Sequence, residues 1–381
     1  MKNIYYWSPC LSKVGTIEST INSAISLNKY SKSKFKVTII NSCGEWDLYK
    51  EKFLNNGVEV LDFPIKYFNF LPKKGFLFSR FSYLVIFLFS FFPLLRILKN
   101  RSPDFLIIHL ITSLPLFLLM IFKFNTKFIL RISGFPKLNI IRKTIWKLLS
   151  KKLYKVTSPT NDLIKQLEEK NIFQKEKIHY LPDAMLNMNT FIKLQKNYKS
   201  KNLDKIINKY FIAVGRLTRQ KNFTYLIDEF SDFLKDNQTH NLLIFGEGEE
   251  KNILLKIINK KKLNNKIFLM GFSENIYFYM KRSSALILSS LWEEPGAVLM
   301  ESAMSNTFII SSNCLNGPTE FLNNGKYGLL YSSNKKNALK NKLIEFFSIS
   351  ENLDKQKIGA KKNCRKYTMF RHYKNLNKLL I

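Results

Sequence analysis

Residues 289–303, SSLWEEPGAVLMESA, set carboxylates at Glu293, Glu294 and Glu301 around a Pro295-Gly296 pair. The apolar run before the pair reads as a strand and the run after it has helical spacing, so Pro295-Gly296 marks a helix start. A helix start presents N–H groups without intrahelical partners and the positive end of a dipole, which together suit an anion. If a phosphate occupies that end, nearby carboxylates cannot ligate it too. Their chemistry is to accept hydrogen bonds from hydroxyl groups, as sugars and ribose provide. Acidic residues also stabilise a helix start by about 0.3–1 kcal/mol each. That structural account covers Glu293 and Glu294 well and Glu301, which lies past the first turn, poorly.

A second constellation is YFIAVGRLTRQKN at 210–222, where a strand ends at Gly215 and Arg216 and Lys221 occupy the loop before a helix. Two cations at the carboxyl end of a strand can hold a diphosphate, Arg through its planar fork and Lys as a point charge. In so basic a chain, an Arg and a Lys in one loop are also ordinary surface residues. LLIFGEGEEKN at 242–252 offers Gly246-x-Gly248 after another strand. It lacks the third glycine of a dinucleotide fingerprint and opens no first βαβ unit, so hydride transfer is disfavoured. Near the N-terminus Gly15 is the place where backbone can approach a phosphate closely. His109 ends the strand-like DFLIIH and Gly134 follows KFILRIS, so neighbouring parallel strands would aim both at one cleft. A histidine at the end of a buried strand is also commonly a hydrogen-bonded structural residue.

These residues need a scaffold of alternating strands and helices. KNIYYW, FKVTII, VEVLDF, DFLIIH, KFILRI and YKVTSP are short apolar runs bounded by polar residues, whereas 15–27, 79–98, 140–151 and 160–169 have helical length. A second series, YFIAVG, NLLIFG, KIFLMG, ALILSS, FIISS and GLLY, follows residue 205. Such alternation predicts parallel sheets covered by helices. The polar, Lys-rich stretch at 187–209 reads as the interdomain connection. The expected fold is α/β, with two doubly wound domains and a ligand between them at the carboxyl ends of the strands.

The length of 381 residues fits two domains, and 46% hydrophobic residues exclude a disordered chain. Cys10, Cys43, Cys314 and Cys364 form no C-x-x-C pair, which fits neither a zinc ribbon nor a disulfide framework and points to a reducing cytosol. The net charge of +33 comes from ten Arg and fifty-one Lys against 28 acidic residues. It is open to readings as compositional drift, as attraction to anionic lipid head groups, or as nucleic-acid binding. The apolar runs 81–95 and 105–122 are expected to be buried strands and helices whose surplus apolar surface rests on a bilayer. The first is short of the roughly 20 residues of a span, and His109 and Pro115 interrupt the second. No cleavable signal is read at the N-terminus.

Together these stretches resemble the retaining, GT-B-fold glycosyltransferases of family 4. The Glu293-x7-Glu301 motif, the G-R-L-x-x-x-K-N run from Gly215 to Asn222, and Gly246-x-Gly248 occur in the family's order and on the expected elements. The resemblance implies two Rossmann-like domains facing each other across a cleft, with an acceptor-binding domain at 1–190, a nucleotide-sugar domain at 205–365 and a C-terminal helix at 366–381 packing back on the first. It implies that Arg216 and Lys221 bind the donor diphosphate, Glu301 the ribose and Glu293 the transferred sugar. Amides at Gly296, Ala297 and Val298 would complete the phosphate site, with Gly246 and Gly248 lining the donor. His109 corresponds to a histidine that contacts the sugar, and Gly15 to the glycine loop near the phosphates. Two departures stand out: a single glycine in the first loop, and Glu294-Pro295-Gly296 where many members have Phe-Gly. No D-x-D pair occurs, so no metal or other cofactor is expected. The implied activity is a retaining hexosyl transfer from a nucleotide sugar to a glycan or lipid-linked acceptor in surface polysaccharide or lipopolysaccharide assembly. The implied location is cytoplasmic, peripheral on the inner face of an anionic membrane, without a nucleic-acid partner. A nucleotide-sugar epimerase and a basic nucleic-acid-binding protein are the alternatives.

Overall fold

A computed structural model describes residues 1–11, 15–72, 76–136, 138–196, 209–349 and 352–381. The chain divides into two compact units, one of Met1–Met185 with Tyr367–Ile381, the other of Leu186–Lys366. The middle of the proposed interdomain connection, 197–208, lies outside the described residues.

The first unit is built on β1 (Lys2–Trp7), β2 (Phe35–Asn41), β3 (Glu59–Asp62), β4 (Phe105–Ile108), β5 (Lys127–Arg131), β6 (Lys155–Ser158) and β7 (Ile178–Tyr180). They form one parallel sheet in the order β3-β2-β1-β4-β5-β6-β7. The second unit carries β8 (Tyr210–Val214), β9 (Asn241–Phe245), β10 (Ile267–Gly271), β11 (Ala285–Leu288), β12 (Phe308–Ser312) and β13 (Leu329–Tyr331), parallel in the order β10-β9-β8-β11-β12-β13. Strands such as FLII in β4 and ALIL in β11 are buried along their whole length, because crossover helices cover both faces of a parallel sheet.

The helices of the first unit are α1 (Gly15–Tyr30), α2 (Lys50–Leu54), α3 (Phe76–Arg96), α4 (Ser113–Ile121), α5 (Ile140–Leu149) and α6 (Asn161–Glu169). Those of the second are α7 (Met188–Lys196), α8 (Phe223–Leu234), α9 (Lys251–Lys260), α10 (Ile276–Arg282), α11 (Ala297–Met304), α12 (Pro318–Phe321), α13 (Ala338–Ser348) and α14 (Leu353–Asn363). The last helix, α15 (Met369–Leu380), returns to the first unit and packs on α1. Lys2 Nζ and Lys155 Nζ donate to the terminal carbonyls of α15 at Leu380 and Leu379, 2.8 and 3.1 Å away, where cations complement the negative end of the helix.

In both sheets the winding direction reverses, between β1 and β4 in one and between β8 and β11 in the other. At such a reversal the flanking loops leave in opposite directions and open a crevice at the carboxyl ends of the strands.

Two elements depart from the sequence reading. β7 is only three residues long, too short to carry a hydrophobic period. The run at 81–95 is part of a longer helix than its apolar core suggests. Arg80–Arg101 reaches membrane-spanning length and hydropathy by composition alone. Ser82, Ile86, Ser90 and Leu94 of α3, four residues apart, are nevertheless buried, while Phe81, Leu84, Leu88 and Phe92 are exposed. The second run, 105–122, splits into β4 and α4.

Candidate active site

β8 ends at Val214, and the chain passes through Gly215, Arg216 and a 3₁₀ turn at Arg219–Lys221 before Asn222, at φ +53°, turns it into α8. Gly215 is the floor under a side chain. A Cβ there would stand 2.9–3.1 Å from the Cε, Cδ and Cγ of Lys221, so the lysine stem lies flat against the bare backbone. The loop is sewn to the one after β11. Ser289 Oγ donates to Lys221 O (2.7 Å), Leu291 N to Gln220 O (2.8 Å) and Gln220 Nε2 to Trp292 O (2.9 Å).

These bonds bring Lys221 Nζ to 2.5 Å from Glu293 Oε1, which also accepts from Ser290 Oγ at 2.5 Å. Glu293 is 3% exposed. It is thus a buried, paired carboxylate and not merely an acidic residue at a helix start. Its Oε2 lies 3.6 Å from the position a Cβ would take on Gly296. Gly296 adopts φ +87° as the N-cap of α11, a conformation that side-chain-bearing residues rarely hold. The first amides of α11, at Ala297 and Val298, lack intrahelical partners by position and point out of the helix start. Glu301, half-buried, is four residues beyond Ala297 and so on the same helix face. Arg216 is exposed at the carboxyl end of β8. Lys221, Glu293 and Gly296 therefore converge at the strand reversal of the second sheet, with Arg216 and Glu301 on the elements that meet there.

Gly246 and Gly248 have a packing reason of their own. Gly246 has φ +137°, and a Cβ on it would fall 1.9 Å from Gly215 O. One on Gly248 would fall 2.2 Å from Leu217 O. Gly215 N donates to Phe245 O and Leu217 N to Glu247 O, so the two loops lie backbone to backbone. The site also includes a loop that sequence reasoning missed. Gly317, at φ +151°, brings the segment after β12 so close that a Cβ would sit 2.2 Å from Pro295 O, and Glu293 N donates to Leu315 O. The only signal for it was the Asn-Gly-Pro at 316–318. Burial pushes the nearby Cys314 thiol up to about 12, which keeps it protonated and unreactive.

His109 and Gly15 belong to the first unit and its own strand reversal. His109 is 2% exposed, and its N–H donates to Trp7 O across the β1–β4 junction. Thr20 Oγ1 donates to Thr16 O at 2.9 Å, so His109 Nδ1 donates to Thr20 Oγ1 at 3.2 Å. Nε2 then accepts from Ser133 Oγ at 2.6 Å. Burial first, and the Arg131 charge second, hold its pKa well below the usual value, so the ring is neutral. Both nitrogens are engaged by hydroxyls, the geometry of a hydrogen-bonded structural histidine. Leu110 and Ile111 directly after it take φ +55° and +35°, strained for a bulky and a β-branched side chain. Gly15, the first residue of α1, is exposed, and a Cβ on it would meet nothing within 4 Å.

A further buried cluster was invisible in the sequence. Arg131 on β5 pairs with Asp183 and reaches Ser19 Oγ at 2.5 Å. His372 Nδ1 donates to Pro182 O at 2.7 Å while Nε2 accepts from Ser23 Oγ at 2.8 Å. This cluster ties α15 and the end of the first unit's chain to α1.

A sequence profile for glycosyl transferases group 1 matches residues 195–363. An uncharacterized glycosyltransferase of Methanocaldococcus jannaschii is 31% identical over 250 residues, and the match spans 61% of this chain and 61% of that relative. A Campylobacter jejuni enzyme, GalNAc-alpha-(1->4)-GalNAc-alpha-(1->3)-diNAcBac-PP-undecaprenol alpha-1,4-N-acetyl-D-galactosaminyltransferase, is 25% identical over 368 residues, 94% of this chain and 95% of its own. Among solved structures, that of Anabaena HepE in complex with UDP superposes with a TM-score of 0.73 at 12% identity, covering 100% of this chain and 99% of the other. The likeness carries the fold, two Rossmann-like units of the GT-B type. The similarity to glycosyl transferases group 1 is carried by residues 195–363, all within the second unit.

Proposed function

We propose that the protein is a retaining glycosyltransferase that moves a hexosyl group from a nucleotide sugar to a glycan or lipid-linked glycan. The observation that carries this reading is the convergence of Lys221 and Glu293 on the start of α11 at the β8–β11 reversal. A diphosphate at that helix start accepts from the amides of Gly296, Ala297 and Val298 and competes with Glu293 for the Lys221 ammonium, while Arg216 closes on it from the neighbouring loop. Glu293 is then released toward the sugar hydroxyls, and Glu301, one turn further along the face, takes the ribose. Gly246 and Gly248 hold the Arg216 loop in place.

As the bond between the anomeric carbon and the diphosphate oxygen breaks, negative charge collects on the diphosphate. Cations and amides already aimed there lower the barrier, each such donor being worth about 2.7–4 kcal/mol. The acceptor hydroxyl forms the new bond on the same face, and its proton leaves with the diphosphate. Glu293 has no role as a covalent nucleophile in this scheme, because two carboxylates about 5 Å apart around the bond are what a double displacement uses. His109 acts by positioning, fixing Ser133 and Thr20 at the first unit's strand reversal. Gly15 leaves the start of α1 open to a phosphate. No metal is invoked: the chain has no D-x-D pair, and the protein's own cations carry the charge.

The Campylobacter relative, named for action on a PP-undecaprenol-linked sugar, supports a lipid-linked acceptor in surface polysaccharide or lipopolysaccharide assembly. The UDP held by HepE supports a nucleotide donor. The exposed apolar side of α3 and the net charge of +33 support a protein resting on an anionic membrane; with that contact go a cytoplasmic location and no nucleic-acid partner. The test is nucleoside diphosphate release from a panel of nucleotide sugars with lipid-linked glycan acceptors, with and without chelator. The proposal expects acceptor-dependent release that chelator leaves intact and a product of unchanged anomeric configuration. Inverted product, or a sugar altered without any acceptor, would remove it.

A further inference from the structure

The first unit carries a charged surface away from the carboxyl ends of its strands. α1 closes on Tyr30, and α15 packs against it through Phe370 and Tyr373, whose ring centroids lie 5.2 and 5.8 Å from that of Tyr30. Phe370 is 49% exposed. Lys29 Nζ stands 5.6 Å from the Tyr30 centroid and Lys374 Nζ 5.2 Å from that of Phe370, so the rings hold two ammonium groups in place. Arg371, Lys374 and Lys378 recur at helical spacing and form one exposed stripe along α15. Beside them the turn after α1 presents Lys32 and Lys34, both exposed. Lys32 and Ser33 there take φ +49° and +63°, a conformation uncommon in residues other than glycine. The turn is pinned by Lys34 N, which donates to Ser31 O (3.2 Å), and by Lys2 N, which donates to Lys34 O (2.9 Å).

The charge here is not neutralised from within. Segments 28–36 and 365–381 contain four and five Lys and Arg respectively, and no Asp or Glu. Among the described residues Lys36 pairs with Glu59, whereas Lys29, Lys32, Lys34, Arg371, Lys374 and Lys378 pair with no carboxylate. Ammonium groups already held over rings meet an anion at a smaller entropic cost than free side chains do. The alternation of the strands narrows the partner. Ile4, Tyr6 and Ile107 pack with α1 and α15, whereas Tyr5, Trp7 and Ile108 pack with α3, so this surface and the exposed apolar side of α3 lie on opposite faces of the sheet. A bilayer under α3 would leave it turned to solvent. Nucleic-acid bases stack on open ring faces, and here ammonium groups already stand over Tyr30 and Phe370. A neutral glycan would leave the cations unused.

We propose that this surface binds an acidic glycan, with the carboxylates of its sugars along Lys32, Lys34, Lys374 and Lys378. Lysine suits the task because its ammonium is a compact point charge that takes a carboxylate from many angles, without the fixed plane of a guanidinium. Lys2 and Lys34 mark the amino ends of β1 and β2, and the six residues of β1 put about 20 Å between them and the crevice at the carboxyl ends. The surface therefore holds a part of the chain several sugars from any reacting end. The assignment rests on the glycan-transfer reading above for the class of polymer, and not on the diphosphate site.

The test uses the full chain with UDP at saturation, so that a diphosphate site in the second unit is already filled. Galacturonic acid hexamer is titrated calorimetrically at physiological ionic strength, beside maltohexaose and a thymidine oligonucleotide of equal charge. Saturable binding of the galacturonate is expected, at least ten-fold tighter than that of either other chain. It should weaken at least ten-fold when Lys32→Ala, Lys34→Ala, Lys374→Ala and Lys378→Ala are combined. A control that combines Lys256→Ala, Lys260→Ala, Lys355→Ala and Lys362→Ala removes as many charges from exposed positions on α9 and α14, and should change the affinity less than two-fold. Equal losses in the two variants would mean that net charge alone is read, and would overturn the assignment. So would oligonucleotide binding as tight as that of galacturonate, or no galacturonate binding at all. A UDP titration of the same samples separates the two readings. UDP binding without galacturonate binding defeats the surface alone, and galacturonate binding without UDP binding defeats the donor site alone.

Discussion

Lys221 Nζ and Glu293 Oε1, 72 positions apart in the chain, stand 2.5 Å apart in a largely buried ion pair where β8 and β11 diverge. The pair joins the loop that carries the cations to the loop that opens α11, so it shapes the crevice as well as charging it. Replacing Lys221 by Ala strands a buried carboxylate, a change that costs about 3–5 kcal/mol when a buried pair is broken. Arg216 is exposed, and surface substitutions are usually within about 0.5 kcal/mol. Urea unfolding of the two variants should show a clear loss for Lys221→Ala and almost none for Arg216→Ala. Both should lose about 10²–10³ in kcat. Comparable stability losses in the two would mean that Lys221 is not anchored as described.

Glu301 offers a test of ligand class. If its carboxylate grips ribose hydroxyls, Glu301→Gln removes a charged hydrogen bond worth about 1.5–3 kcal/mol. UDP should then bind at least ten-fold more weakly, while 2′-deoxy-UDP, already lacking a hydroxyl, changes much less. Equal losses for both nucleotides would place Glu301 elsewhere in the mechanism.

Gly246 and Gly15 should behave in opposite ways. Gly246→Ala puts a methyl 1.9 Å from Gly215 O in a left-handed backbone, so the two loops must separate. A destabilisation of more than about 2 kcal/mol is expected, in the range of strain at special φ/ψ positions. Gly15→Ala meets nothing within 4 Å and should leave the melting temperature unchanged. A raised KM for the donor in Gly15→Ala, at constant stability, is the result expected if phosphate approaches that turn.

His372 couples the first unit to pH. Burial pushes its pKa down to about 4, and its Nε2 is the acceptor for Ser23, so protonation breaks that bond. Between the usual value near 6.5 and about 4 the unfolded chain binds the proton and the folded one does not. The contribution is therefore complete above about pH 6.5 and is lost as the pH falls toward 4. Near-UV circular dichroism during urea unfolding should show a loss from pH 6.5 to 5 of which His372 supplies about 1–2 kcal/mol, with His109, also held neutral by burial, adding its own part. His372→Gln should reduce that slope by the His372 part and leave the His109 part. An unchanged slope would show that the ring is not held neutral.

The sequence reveals the strands because buried parallel strands are short apolar runs with polar ends: DFLIIH and ALILSS could be placed by composition alone. The order of strands is not legible in this way, since any of several doubly wound orders fits the same alternation. β7, three residues long, gives no period at all. For the site, the E-x7-E spacing located Glu293 and Glu301 on a loop and a helix, but the Lys221–Glu293 pair depends on a 72-residue return that no local pattern encodes. The close approach of Gly317 to Pro295 is likewise a tertiary fact. The His109 partners, Thr20 and Ser133, come from α1 and the end of β5, 89 and 24 positions away. Only their meeting shows that the ring is a neutral hydrogen-bonded post.

If the start of α11 with Lys221 and Arg216 forms a diphosphate site, calorimetric titration with a panel of nucleoside diphosphates will register it. Saturable binding of at least one of them is expected, reduced ten-fold or more in Arg216→Ala and in Lys221→Ala. No binding by any member of the panel, or full affinity retained in both variants, would contradict it.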